Sequence, residues 1–258
     1  LQGNSSTVMI EISGLTKRYE DGLLALDHLD LEVCAGELFC LLGANGAGKT
    51  TTINLLLNLI DPTEGTAKVN GIDVAKNPLE AKRFVSFVSE RVSLYENFTG
   101  MQNIRYFAVL GGVAGLTREE GARTFRRVGL SESALDQKVR NFSKGMLQKL
   151  GIAVAMIKDA PVILLDEPTT GLDPKAVAEL LDLLREFRER GKAIFMSTHD
   201  IFRAREIANR VGIMKEGRLI TVMDKRQLAK EDLERIYLDY MRSDEQPSVS
   251  TGEEIVNA

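Results

Sequence analysis

The sequence predicts an α/β fold: a mostly parallel sheet flanked by helices, with an N-terminal antiparallel β subdomain and an inserted helical subdomain. Three observations carry this expectation. Residues 43–50 read GANGAGKT and stand between an apolar strand, ELFCLL at 37–42, and an apolar helical stretch, TTINLLLNLI at 51–60. PVILLDEP at 161–168 and AIFMST at 193–198 are continuous apolar runs, as strands buried on both faces of a parallel sheet are. VMIEI at 8–12 and LDLEV at 29–33 alternate instead, as half-buried strands do.

Taken in order, the two alternating strands are separated by Tyr19 and a turn at Glu20, Asp21 and Gly22. After the strand at 37–42, a helix opens near Lys49, with Ile53, Leu56, Leu57 and Ile60 at helical spacing. DPTEG at 61–65 is a turn, and TAKVNG at 66–71 is a strand ending at Asn70-Gly71. FVSFVS at 84–89 is a strand that stops at Glu90. From Tyr95 to Asp159 the chain becomes helical and rich in charges and glycines, which places an inserted lobe at about 95–160.

Residues 175–190 form an amphipathic helix. Val177, Leu180, Leu181, Leu184 and Phe187 face one way, and Glu179, Asp182, Glu186 and Arg190 the other. A helix at 201–210 follows, then a strand pair at 211–220 turning at Gly217. The main domain is expected to span 8–226, followed by one last helix at 227–242. That helix carries Leu233, Ile236, Tyr237 and Tyr240 on one stripe, for packing on the domain or for a dimer contact. Residues 243–258 are polar and predicted to be disordered.

The chain has 258 residues, enough for one large domain with an inserted lobe and no structural disulfide. A net charge of −4 offers no basic footprint for nucleic acid. Cys34 and Cys40, read as lying on a single strand, are expected to be small buried hydrophobes in a reducing compartment. His28 and His199 lack metal-ligand spacing to each other or to the cysteines. The longest apolar candidate, FAVLGGVAGL at 107–116, is too short to span a bilayer, and LQGNSST at the N-terminus is no signal peptide. The expectation is a soluble cytoplasmic chain that meets a membrane only through a partner.

GANGAGKT fits G-x-x-x-x-G-K-[ST], the Walker A or P-loop pattern. Gly43, Gly46 and Gly48 let the backbone turn tightly and approach an anion, because no Cβ intervenes. The amides of Ala44, Asn45, Ala47 and their neighbours form a nest for phosphate, and the helix beginning at Lys49, Thr50 and Thr51 adds its positive dipole end. Lys49 would reach the β- and γ-phosphates, and the Thr50 hydroxyl would bind Mg²⁺. The bland alternative is a solvated lysine in a glycine-rich turn; the strand–loop–helix setting argues against it.

A strand running into Asp166 and Glu167 is what such a loop needs next. Asp166 would hold Mg²⁺, and Glu167 would act as base toward the attacking water. His199 ends the strand that closes with Ser197 and Thr198, at the edge where ligands bind in open α/β sheets. A histidine there can donate to the γ-phosphate.

NFSKGMLQK at 141–149 resembles the signature motif of the ATP-binding cassette (ABC) ATPases, with Ser143 and Gly145 matching. Phe142, Lys144 and Met146 replace the usual Leu, Gly and Gln, a variant similar to that of exporter cassettes. Gly171, Leu172, Asp173 and Pro174 resemble the D-loop, and Tyr19 resembles the aromatic that stacks on adenine. One residue departs from the family: Glu90 stands where a glutamine contacts Mg²⁺ and the attacking water. It remains a metal and catalytic candidate here, with added negative charge beside the γ-phosphate.

The resemblance implies a RecA-like P-loop NTPase fold and an ATP hydrolase that uses ATP and Mg²⁺. It further implies a head-to-tail dimer, with a second copy or a related cassette, in which Ser143 and Gly145 of one chain complete the site of the other. A permease subunit in the membrane, docking near Glu90 and residues 91–105, would be the working partner, on the inner face of the cell membrane. A soluble cassette in assembly or regulation is the alternative, and a nucleotide-gated module without turnover is a second.

Overall fold

The computed structural model describes residues 7–242; the expected disordered tail at 243–258 lies outside the described residues. Among the described residues there are two sheets. The first is four-stranded and antiparallel, in the order β2-β1-β4-β5. Its strands are β1 (Val8–Arg18), β2 (Leu24–Cys34), β4 (Glu64–Val69) and β5 (Ile72–Asp73). The second is six-stranded, in the order β10-β9-β3-β8-β7-β6. It is built from β3 (Leu38–Leu42), β6 (Val85–Val88), β7 (Val162–Asp166), β8 (Ala193–Thr198), β9 (Arg210–Lys215) and β10 (Arg218–Asp224). All neighbours are parallel except β9 and β10, which form the antiparallel hairpin expected at Gly217.

Strand alternation divides the core. Leu38, Cys40 and Leu42 of β3, Ile163 and Leu165 of β7, and Ile194 and Met196 of β8 point into one apolar cluster. Phe39 and Leu41, Val162 and Leu164, and Ala193 and Phe195 point into the other. Successive side chains on a strand leave on opposite faces, so burial on both sides requires the unbroken apolar runs seen in the sequence. The first cluster is covered by α5 (Lys144–Lys158), α6 (Pro174–Glu189) and α7 (Ile201–Ile207). The second is covered by α1 (Lys49–Leu56) and the antiparallel sheet. Phe39 and Phe195 stack across β3 and β8, with ring centroids 5.8 Å apart.

The short helix α2 (Pro78–Arg83) precedes β6. Between β6 and β7 lie α3 (Gly100–Leu110), α4 (Arg118–Arg127), two turns of 3₁₀-helix and α5. Thr99 and Thr117 each close a capping box on the helix that follows, with Gln102 and Glu120 answering. No helix among the described residues is long and apolar enough to cross a membrane.

Four expectations are corrected. The helix expected at 201–210 ends at Ile207, where Ala208 turns extended, and Arg210 already belongs to β9. The helix expected over 51–60 stops at Leu56, because Asn58 takes a left-handed backbone with φ 47°. The single last helix at 227–242 is two, α8 (Lys225–Lys230) and α9 (Leu233–Arg242). Glu231 is extended, and the Asp232 carboxylate accepts the Glu234 and Arg235 amides at 3.1 and 3.3 Å, which starts the second helix. Leu233 is buried while Tyr240 remains exposed, so the expected stripe packs on the domain only in part. The cysteines stand on different strands: Cys40 is buried in β3, and Cys34 is half-buried at the end of β2. Burial pushes both thiols up.

Candidate functional site

The P-loop connects β3 to α1, and its shape depends on close backbone packing. An added Cβ on Gly43 would sit 2.6 Å from the Met214 carbonyl oxygen, and one on Gly48 would sit 2.6 Å from that of Ala25. Gly48 has φ 108° and sits at the cap of α1, so its lack of a side chain is needed twice over. The Gly43 amide bonds the Thr198 carbonyl at the end of β8, and the Gly217 amide bonds Ala47. Asp27 in β2 then bonds the Gly217 carbonyl through its amide. The loop is thus held from β8, β2 and the β9–β10 turn. Within it, Ala44, Asn45, Gly46 and Thr50 are exposed, while Gly43, Ala47, Gly48 and Lys49 are buried.

Lys49 folds back over this loop. Its ammonium donates to the carbonyls of Gly43 and Ala44 at 2.7 and 3.1 Å. It also lies 3.4 Å from Oε1 of Glu167. Thr50 Oγ1 stands 3.1 and 3.3 Å from the two Asp166 oxygens. Asp166 and Glu167 are both buried, at 6% and 8% exposure, where β7 ends. His199 follows β8, and its Nδ1 meets Glu167 Oε2 at 2.9 Å. Glu167 Oε1 is enclosed and accepts no hydrogen bond, so the Lys49 ammonium 3.4 Å away is its ionic neighbour.

Sequence reasoning assigned no role to Ser197, which the structure places at the centre. Its hydroxyl donates to Asp166 Oδ1 at 2.5 Å and accepts the Glu167 amide at 3.0 Å. The available signal was a hydroxyl in an otherwise apolar core strand, where a polar atom must find a partner.

The structure brings together Lys49, Thr50, Asp166, Glu167 and His199. Glu90 is exposed just beyond β6, at the sheet edge where Asp166 and Glu167 end β7, and among the described residues no hydrogen bond or ion pair joins it to the five. Tyr19 is half-buried just after β1, with the Lys17 ammonium 5.3 Å from its ring centre. Thr51 is half-buried in the first turn of α1.

Ser143 and Asp173 form a separate group. Ser143 caps α5, its hydroxyl accepting the Met146 amide at 3.2 Å. Asp173 caps α6, ahead of Pro174, by accepting the Ala176 amide at 3.0 Å. That bond holds its carboxyl below the usual range. A Cβ on Gly145 would lie 3.7 Å from Leu172, and one on Gly171 would meet the Lys144 ammonium, so the two caps are neighbours. Ser143 is exposed, as is Lys144, and Gly145 and Met146 are half-exposed. No hydrogen bond or ion pair joins this group to the P-loop of the same chain.

The sequence model of the family described as "ABC transporter" matches residues 26–170. The chain is similar to the daunorubicin/doxorubicin resistance ATP-binding protein DrrA of Streptomyces peucetius, at 37% identity over 83% of this chain and 64% of DrrA. The chain therefore spans less than two thirds of that relative's length. It is 35% identical to the bacitracin transport ATP-binding protein BcrA of Bacillus licheniformis, over 94% of this chain and 78% of BcrA. Among solved structures, the ATP-binding subunit of an ABC transporter matches with a TM-score of 0.81 and 29% identity, over 90% of this chain and 99% of that one. The cassette MJ0796, as a dimer in a post-hydrolysis state with ADP and Pi, matches with a TM-score of 0.78 and 27% identity, over 84% of this chain and 99% of its own. Loop, carboxylates and relatives agree: the chain belongs to the ABC transporter family and is one of its ATP-binding, ATP-hydrolysing cassettes.

Proposed function

We propose that this chain is the ATPase subunit of an exporter, working as an ATP-sandwiched head-to-tail pair beneath a membrane permease. The observation that carries the reading is the convergence of Lys49 and Thr50 with Asp166, Glu167 and His199 at one P-loop. Ser143 and its neighbours are exposed at the N-terminus of α5 and unconnected to that loop, as a surface meant for another cassette's nucleotide would be. Relatives named for drug resistance, bacitracin transport and Nod factor export favour export over import.

In this reading residues 8–226 are the cassette, with the helical insert at about 95–160. Lys49 and the amides of residues 43–51 bind the phosphates, and Tyr19 stacks on the base. Glu167 accepts the proton of the attacking water, and His199 holds the Glu167 carboxylate in place and meets the γ-phosphate. Thr50 and Asp166 suit Mg²⁺: both offer hard oxygens. No cluster of three or more His, Cys, Asp or Glu fit for a metal exists among the described residues. Thr50 and Asp166 would hold the ion, and its remaining ligands would have to come from outside the protein. When bound, Mg²⁺ neutralises charge on the β- and γ-phosphate oxygens. Glu90, at the same sheet edge, is a further metal and catalytic candidate in this reading.

The permease docks beside Glu90, over residues 91–105. Exposed Tyr95 in that segment favours this placement, and it packs against Phe107, which lines an adjoining groove of about 320 Å³ with Leu59, Phe87 and Leu110. A tagged pull-down from detergent-solubilised membranes tests the reading. A stoichiometric polytopic membrane protein is expected. Soluble partners alone would overturn it in favour of an assembly or regulatory ATPase.

A further inference from the structure

We propose that Ser197 is a positioning residue for ATP hydrolysis: its hydroxyl joins the Asp166 carboxylate and the Glu167 backbone into one rigid unit. Ser197 is fully buried and sits directly across from Asp166 in the register of β8 and β7. A hydroxyl has one proton and two lone pairs. Here the proton goes to Asp166 Oδ1 at 2.5 Å, and one lone pair takes the amide of the very next residue at 3.0 Å.

Each bond removes a freedom that hydrolysis cannot tolerate. The terminal torsion of an aspartate is broad, so an unanchored carboxylate turns easily. With Oδ1 anchored, the Asp166 plane is set, and Oδ2 is directed to Thr50 at 3.1 Å. Glu167 holds φ 47°, a region disfavoured for residues with a side chain. Its amide is held there by the Ser197 hydroxyl at 3.0 Å, and more weakly by the Ser197 carbonyl at 3.3 Å. From this backbone the Glu167 side chain reaches His199 and Lys49. One hydroxyl on β8 therefore sets the angle between the metal-binding carboxylate and the base. An apolar residue would serve packing in this strand equally well, and a buried hydroxyl is costly without partners.

The inference rests on the proposed roles of Asp166 and Glu167, and its test separates the two. ATP binding to the full chain is followed by fluorescent-nucleotide titration, in EDTA and across a Mg²⁺ series, for wild type, Ser197→Ala and Ser197→Thr. In Ser197→Ala, EDTA binding and the melting temperature should stay near wild type. The Mg²⁺ concentration for half-maximal effect should rise about 10-fold, and kcat should fall about 10- to 100-fold at unchanged ATP KM. Ser197→Thr, which restores the hydroxyl, should recover both. Wild-type Mg²⁺ dependence and kcat in Ser197→Ala would overturn the assignment. So would equal weakening of EDTA and Mg²⁺ binding with a lowered melting temperature, which marks a purely structural role. Absence of Mg²⁺ dependence in the wild type would overturn the reading of the site itself.

Discussion

His199 Nδ1 lies 2.9 Å from Glu167 Oε2, while Lys49 Nζ lies 3.4 Å from the other oxygen of the same carboxylate. The base of this site is thus held on one side by a residue of β8's end and on the other by the P-loop lysine. Replacing Glu167 with Gln keeps the shape and removes the charge that accepts a proton. Turnover should fall by about 10²- to 10⁴-fold, the range for a lost general base. ATP binding should persist, and an ATP-dependent dimer should accumulate. Light scattering at saturating ATP and Mg²⁺ reads this directly; a purely monomeric variant would speak against the sandwich.

The P-loop glycines differ in what they protect. A Cβ on Gly48 meets the Ala25 carbonyl at 2.6 Å and Met214 Cε at 2.9 Å, whereas one on Gly46 meets nothing within 4 Å. Gly46→Ala should cost only the left-handed backbone penalty, about 1–2 kcal/mol. Gly48→Ala should cost more and weaken nucleotide binding, because the whole loop must shift. Denaturant unfolding of the two variants compares the costs, and similar values would refute the packing argument.

Ser143 has a local role and a proposed distant one. Removing its hydroxyl should cost α5 about 1 kcal/mol of capping stability. Monomer ATP affinity should be unaffected, since Ser143 has no bond to its own P-loop. ATP-driven dimerisation and turnover should both drop. A Ser143→Ala chain that dimerises normally in the Glu167→Gln background would remove Ser143 from the interface.

Asp27, His28 and Arg218 tie β2 to β10 beside the turn that braces Ala47. The Asp27 hydrogen bond to His28 holds the imidazole above its ordinary value of 6.5. The same bond, helped by Arg218, holds the Asp27 carboxyl below its ordinary 3.8. A raised histidine stabilises the fold fully below its unfolded value and loses that contribution as pH rises through its folded one. A depressed aspartate stabilises above its unfolded value and loses that contribution as pH falls through its folded one. The contribution of the pair is therefore complete between pH 3.8 and 6.5 and fades on either side of that window. In an NMR titration His28 should have its midpoint above 6.5, moving down in Asp27→Asn. A midpoint insensitive to that substitution would break the link.

Much of this protein is set by local sequence. Glycines at 43, 46 and 48 can only serve a tight loop, and the apolar runs at β3, β7 and β8 suit only strands covered on both faces. Asp166, Glu167 and His199 could be placed at strand ends because strand ends are visible where apolar runs stop. The extent of α1 and the break between α8 and α9 were not legible. They turn on a left-handed Asn58 and on the Asp232 cap, single-residue choices that periodicity averages away. Tertiary structure alone decided that Ser197 stands beside Asp166 and that Lys49 reaches Glu167. The reason is register: β7 and β8 pair across a whole intervening helix, and no local pattern states which residue of one faces which residue of the other.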